Sequence, residues 1–126
     1  MEWSTVVQRR RYPRVAVDVP VRVSTIDPEL DPYTGRPFFR AFEDRAVDLS
    51  RGGLRLRTGE SLLPGRRVLL ELDLPDAPFE AIARVAWTAR TPQAGDALDV
   101  GIEFIGASTP RAGLERFLGE AARRAA

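Results

Sequence analysis

From Val15 onward the side chains alternate, with Val15, Val17, Val19, Val21 and Val23 on one parity and Ala16, Asp18, Pro20 and Arg22 on the other. Period two carried by a β-branched residue predicts a strand with one face in a core. Pro20 has no N–H to give to a ladder, so it marks an edge or a bulge. A second strand is predicted over residues 40–48 and a third over 54–58, where Leu54-Arg55-Leu56-Arg57 alternates. Val68, Leu70, Leu72 and Leu74 predict a fourth strand; Phe79, Ala81, Ala83, Val85 and Trp87 a fifth; Leu98, Val100, Ile102 and Phe104 a sixth. Between them lie turn signals at Leu62-Leu63-Pro64-Gly65, whose Pro-Gly pair suits a type II turn, and at residues 75–78 and 92–96. Short strands joined this way predict a small antiparallel barrel or sandwich.

The period changes near the C-terminus. Thr109-Pro110 offers an N-cap and a proline at the first helical position, and Leu114, Phe117, Leu118, Ala121, Ala122 and Ala125 recur at helical spacing. A helix of about fifteen residues is marginal alone, so it must pack on the sheet, over a barrel mouth or an edge. Residues 24–39 carry three prolines and Gly35 and read as a long loop. Phe38 and Phe39 would anchor it, or mark a partner contact if exposed. Asp27 and Asp31 lack the alternating carboxylates and glycine of an EF-hand, so no metal site is expected. The organisation expected is one domain: an N-terminal arm over 1–14, a barrel over 15–107 and a helix over 109–125.

A chain of 126 residues can bury a real core. Met-Glu-Trp-Ser-Thr begins no apolar signal segment, and no run reaches the ~18 apolar residues of a membrane span, so a soluble, cytoplasmic protein is expected. Cysteine and histidine are both absent, which argues against disulfides, thiolate chemistry, a zinc site and an ordinary hydrolytic triad. Net charge is +1, so no global field steers the protein onto nucleic acid. All nineteen basic residues are arginine. Scattered arginines fit coding bias in a GC-rich genome, and only clustered ones carry weight.

Two stretches carry candidate chemistry. Asp48-Leu49-Ser50-Arg51-Gly52-Gly53 is a polar turn between two strands, and residues two apart on a strand face the same way, so Asp48 and Ser50 can address one ligand. Read blandly, it is a well-made turn, because Asp and Ser bond nearby backbone in many loops. Arg9-Arg10-Arg11-Tyr12-Pro13-Arg14 is the densest charge cluster, and Pro13 biases Tyr12 away from helix, giving an extended arm or, alternatively, a solvated basic tail. Arginine forks suit phosphate oxygens and guanine O6 and N7, and guanidinium planes stack on purines. A carboxylate such as Asp48 can accept from the N–H groups of a guanine edge. Glycine allows close approach of backbone amides. Together the two stretches describe a guanine-bearing, anionic, compact ligand.

Arg10-x-x-x-Arg14 followed by Asp48-x-Ser50-x-x-Gly53 resembles the PilZ domain family, whose signature is RxxxR and then [D/N]xSxxG. The likeness extends to Gly52-Gly53-Leu54-Arg55-Leu56, Ala83-Arg84-Val85-Ala86-Trp87 and Gly101-Ile102-Glu103-Phe104, and spans roughly residues 8–120. The resemblance implies a mainly β fold, a six-stranded antiparallel barrel of the split-barrel type with a C-terminal helix. It implies a bacterial second-messenger receptor for cyclic di-GMP, with no catalytic residues, metal or cofactor. By position, Arg10 and Arg14 would hold phosphates and guanine edges, Asp48 and Ser50 would bind a guanine, and Gly53 would supply the turn's conformation. Arg9 occupies a position associated with ligand stoichiometry, and an arginine there fits an intercalated ligand dimer. The 24–39 loop departs from the commoner pattern, which bears on ligand access and partner surfaces.

The implied mechanism is ordering of the Arg9–Arg14 arm on binding, with output through a protein partner or a change between monomer and homodimer. Three rivals remain. The first is a PilZ-like interaction module that binds no nucleotide. The second is a barrel for RNA or single-stranded DNA, disfavoured because the alternating apolar positions read as core rather than exposed stacking platforms. The third is an enzyme, disfavoured because Ser50 has no histidine or lysine to activate it.

Overall fold

The computed structural model describes residues 13–125. Arg9 and Arg10, the rest of the proposed arm up to Tyr12, and any packing of the first residues lie outside them. In chain order the strands are β1 (Val15–Thr25), β2 (Glu29–Leu30), β3 (Pro37–Phe38), β4 (Ala41–Leu49), β5 (Gly53–Thr58), β6 (Arg67–Leu72), β7 (Phe79–Ala89) and β8 (Leu98–Ala107), followed by helix α1 (Ala112–Ala125). Six of them close an antiparallel barrel in the ring order β1-β4-β5-β8-β7-β6, while β2 and β3 form a separate hairpin. The barrel-or-sandwich alternative thus resolves to a mainly β, six-stranded antiparallel barrel with one C-terminal helix.

Alternation builds the core. Val19, Val21 and Val23 of β1 meet Leu54 and Leu56 of β5, Leu70 and Leu72 of β6, Ala81 and Val85 of β7 and Val100 of β8 in one buried cluster. Phe79 packs edge-to-face on Phe104, ring centroids 5.7 Å apart. Pro20 sits where its missing N–H does no harm. Its carbonyl accepts from Asp73 N–H (3.0 Å), so its nitrogen faces β6 just outside the β1–β6 register, which begins at Val21↔Leu72. The bulge expected near it falls slightly earlier, between Ala16 and Val19 on the β4 side.

A closed ring leaves no barrel edge for the helix to cover. Instead α1 lies against β1 and inserts Leu114, Leu118 and Ala121 into the core cluster. It starts later than Thr109-Pro110 suggests, because the Thr109 hydroxyl accepts from Glu80 N–H of β7 (3.0 Å) and ties the approach to the barrel.

The 24–39 stretch is more ordered than a loop. Asp31 Oδ1 accepts from Tyr33 N–H (2.8 Å) and Thr34 N–H (3.1 Å), Gly35 takes a φ of +71°, and the β2–β3 hairpin closes around this turn. Two-residue strands are too short for periodicity to show. The base is pinned by Arg40, whose guanidinium donates to Glu29 (2.6 Å), Glu60 (3.1 Å) and the Ser61 carbonyl (2.6 Å). Phe38 and Phe39 do not anchor it. Both are exposed, as are Leu30 and Tyr33, the latter 95% exposed. Asp27 is held by Arg67, whose Nη2 lies 2.7 Å away, and this pair keeps its carboxyl below the usual range.

Candidate functional site

The site begins with a bulge. Strand β4 pairs Ala46 with Leu56 and then Asp48 with Arg55, so two steps on β4 match one on β5 and Val47 is the extra residue. Ala46 and Leu49 are both in the core although three residues apart, a spacing that an uninterrupted strand would send to opposite faces. The bulge turns Asp48 to the outside of the barrel. Bulges commonly re-aim a side chain in this way.

Directly after it the chain reverses. Ser50 N–H donates to the Gly53 carbonyl (2.9 Å), Gly52 N–H donates to Ser50 Oγ (3.1 Å), and the Ser50 hydroxyl lies 3.4 Å from the Gly53 carbonyl. The Ser50 hydroxyl therefore holds the turn. Phe104 N–H of β8 donates to the Gly52 carbonyl (2.8 Å), and Arg111 Nη1 at the start of α1 donates to the Arg51 carbonyl (3.0 Å). Gly53 does not take a positive φ, since left-handed backbone occurs at Gly35, Gly65 and Gly95 among the described residues. Glycine is needed there for space. A Cβ at Gly53 would lie 2.1 Å from the Ile102 carbonyl oxygen and 3.0 Å from Glu103 Cα.

Opposite charges alternate across the outer face. Asp48, only 14% exposed, has Arg14 Nη1 at 3.7 Å from Oδ1 and Arg55 Nε at 3.0 Å from Oδ2. Neither contact is a hydrogen bond. Asp48 Oδ1 and Arg55 Nε are both buried without a hydrogen-bond partner among the described residues, the Arg55 N–H pointing off the line to Asp48. Next in the series is Asp99 of β8, fully buried, which accepts from Arg57 Nε (2.9 Å) and Nη2 (3.3 Å), Arg55 Nη1 (3.3 Å) and the Thr91 hydroxyl (2.7 Å). The Arg57 hydrogen bond, with Thr91 and the Arg55 charge, holds the Asp99 carboxyl below its ordinary range against the opposing effect of burial. The same bond raises Arg57. Alongside, the partly exposed Trp87 indole packs against Gly101, where an added Cβ would come 2.2 Å from Nε1.

The structure brings Arg14, Asp48, Ser50 and Gly53 to one end of the β4–β5 hairpin; Arg9 and Arg10 are outside the described residues. Arg55, Arg57, Asp99 and Trp87 join them. Alternation marks Arg55 and Arg57 as outward-facing, but nothing in the sequence shows that they share a carboxylate. That depends on the cross-strand pair Arg57↔Asp99. A groove of about 410 Å³ between β1, α1 and the β6–β7 connection borders the site through Ala16, the register partner of Asp48, yet contains none of these side chains.

The profile of the PilZ domain matches residues 8–120. The chain belongs to the PilZ domain family. No curated protein matches it significantly. Among solved structures, this PilZ domain is similar to the Bacillus subtilis inhibitor of motility MotI/DgrA, with 18% identity over 94% of this chain and a TM-score of 0.68. It spans about half (51%) of that protein. It is also similar to the PilZ domain of Escherichia coli YcgR with c-di-GMP (18% identity, 94% of this chain, 98% of that one, TM-score 0.60). The PilZ domain of CeSA from a cellulose-synthesizing bacterium matches at 20% identity, covering 86% of this chain and 97% of that one, with a TM-score of 0.56. At these identities the likeness speaks for the fold.

Proposed function

We propose that this PilZ domain is a receptor for cyclic di-GMP, bound on the outer face of the barrel between Asp48 and the N-terminal arginines. The observation that carries the reading is Asp48 itself. A bulge aims it outward between two guanidinium groups, and its Oδ1 is buried without a hydrogen-bond donor among the described residues. A buried acceptor without a donor is costly, by about 1–3 kcal/mol. The adjacent N1–H and exocyclic N–H of a guanine edge supply two parallel donors that suit a carboxylate. Arg14 and, from the arm, Arg10 and Arg9 would take the phosphates and stack on the bases. Gly53 keeps the turn close to β8, and Ser50 holds its shape.

Supporting this, the family is one of cyclic di-GMP receptors, and the YcgR structures contain that ligand. The arm over residues 9–14 orders as the ligand bridges it to Asp48, and hydrogen exchange at those residues falls on binding. Output passes through a protein partner or a change between monomer and homodimer. The exposed Leu30, Tyr33, Phe38 and Phe39 of the β2–β3 hairpin suit protein contact better than nucleotide contact. No described helix is long and apolar enough to cross a membrane. A cytoplasmic location, no catalysis and no cofactor belong to this reading.

Isothermal titration with cyclic di-GMP tests it, with GTP and an R10A/R14A double variant as controls. Saturable heat lost in the double variant is expected, and the molar ratio reports one ligand or two. Absence of heat and of any thermal shift would favour an interaction module that binds no nucleotide.

A further inference from the structure

Resting on that reading, we infer that Arg55 is a further ligand-contacting arginine of the site, beyond Arg9, Arg10 and Arg14, and that Asp99 is the residue that positions it. Arg55 stands between the two carboxylates, paired in register with Asp48 on one side and Gly101 on the other. Among the described residues its one hydrogen bond is from Nη1 to Asp99, while Nε lies against Asp48 without bonding to it. Its side chain is about one-third exposed (32%) although Nε itself is buried, so the donors it can offer a ligand are those of the terminal Nη atoms.

Asp99 is built as a tether. It is fully buried and fixed independently of Arg55 by the two bonds from Arg57 and the one from Thr91. An arginine held at one end loses less conformational freedom on gripping a second anion than a free one does. The charges also favour exchange of partners. Arg14, Arg55 and Arg57 face two carboxylates, leaving one positive charge in excess. A guanine edge that takes Asp48 frees Arg14 and Arg55 from it together, and the ligand's phosphate or guanine O6 receives them. No charge is then stranded in a half-buried site, where an unpaired one is expensive. A ligand carrying only a guanine, or only phosphate, completes half of this exchange. Arg55 therefore contributes to selectivity for molecules holding both groups close together.

The test is titration of cyclic di-GMP and GTP into the full chain and its variants R55A, R55K, D99N and R55A/D99N, with R116A, whose helical arginine pairs with Asp76 of the β6–β7 turn, as control. Thermal midpoints confirm folding of each. R55A should bind cyclic di-GMP at least ~10-fold more weakly, the scale of one good arginine contact, and R55K should recover only part of the loss. D99N should weaken binding in the wild-type background and cost nothing further in R55A, a coupling that a purely structural role of Asp99 would not produce. Wild-type affinity in folded R55A, or tighter binding, overturns the inference while leaving the receptor reading intact. An additive loss in the double variant overturns the positioning role of Asp99. Failure of the wild type itself to bind overturns the receptor reading, and this inference with it.

Discussion

Replacing Gly53 by alanine should destabilise the domain strongly, for a reason measurable apart from ligand binding. The new Cβ would stand 2.1 Å from the Ile102 carbonyl oxygen, and both nearby atoms belong to backbone rather than to a side chain that could swing away. An ordinary carbon–oxygen contact is about 3.3 Å, so β5 and β8 must part locally by about 1.2 Å. That opening falls at the Gly53↔Glu103 pair and beside the Phe104 N–H bond to Gly52 (2.8 Å). Overpacking costs about 1–3 kcal/mol, and one weakened hydrogen bond about 0.5–1.5 kcal/mol, for a loss of about 1.5–4.5 kcal/mol. Urea denaturation followed by circular dichroism measures it, with G106A as the contrast, since a Cβ at Gly106 meets nothing within 4 Å. Asparagine tolerates left-handed backbone, but G53N should be no better than G53A, because space and not φ is limiting. A G53A protein within about 0.5 kcal/mol of wild type, the range of a neutral surface change, or a rescue by asparagine, would refute the steric account.

Replacing Asp99 by asparagine should cost about 2–3 kcal/mol at neutral pH, the lower end for a broken buried pair because Arg57 and Arg55 remain partly solvated. Because folding lowers the Asp99 pKa, its contribution is complete above the ordinary aspartate value of about 3.9 and fades as pH falls through the folded value, so the gap between wild type and D99N should narrow in acid denaturation below about pH 4. A gap independent of pH over that range would show that the charge does not matter. R14A should weaken cyclic di-GMP binding by at least ~1–3 kcal/mol in calorimetry, and full affinity would remove Arg14 from the site. L114A, which empties a fully buried position where α1 meets the barrel, should cost about 2–5 kcal/mol in the same urea assay, and a near-neutral result would mean that the helix is not part of the core.

Much of the fold was legible because a barrel of half-buried strands repeats one simple signal. The valines of β1, the leucines of β6 and the alternation from Phe79 to Val85 each announce a strand with a single inner face; Trp87, expected on that face, lies past a register shift after Val85 and is partly exposed outside it. Where that signal is short or interrupted, the sequence says less. The β2–β3 hairpin is built from an aspartate-capped turn and two residues on each side, too few to show a period. The helix start misled because Thr109 has two possible partners, and Glu80 N–H, twenty-nine residues away, takes it. In the site, Asp48, Ser50 and Gly53 stand out as a polar turn whose glycines allow close approach, but that the approach is to the Ile102 carbonyl is a property of two strands together and is not written in the turn itself. Asp99 was hardest to see. A charged residue on an outward parity reads as solvated until the neighbouring strand supplies the arginine that covers it.

The bulge at Val47 sets how the site is addressed along the chain. Everything from Asp48 to Gly53 lies beyond it, so the spacing that matters is counted backwards from the turn and not forwards from the start of the strand. Lengthening or shortening β4 ahead of Val47 shifts its partners on β1 yet leaves the distance from carboxylate to turn unchanged. Removing Val47 itself acts on the kink alone. The strand becomes regular, with Ala46 and Leu49 two apart on the inner face and Asp48 between them, still on the outer one. A related chain lacking this one residue would therefore keep its carboxylate outside the barrel, at the end of a strand that runs straight where this one bends.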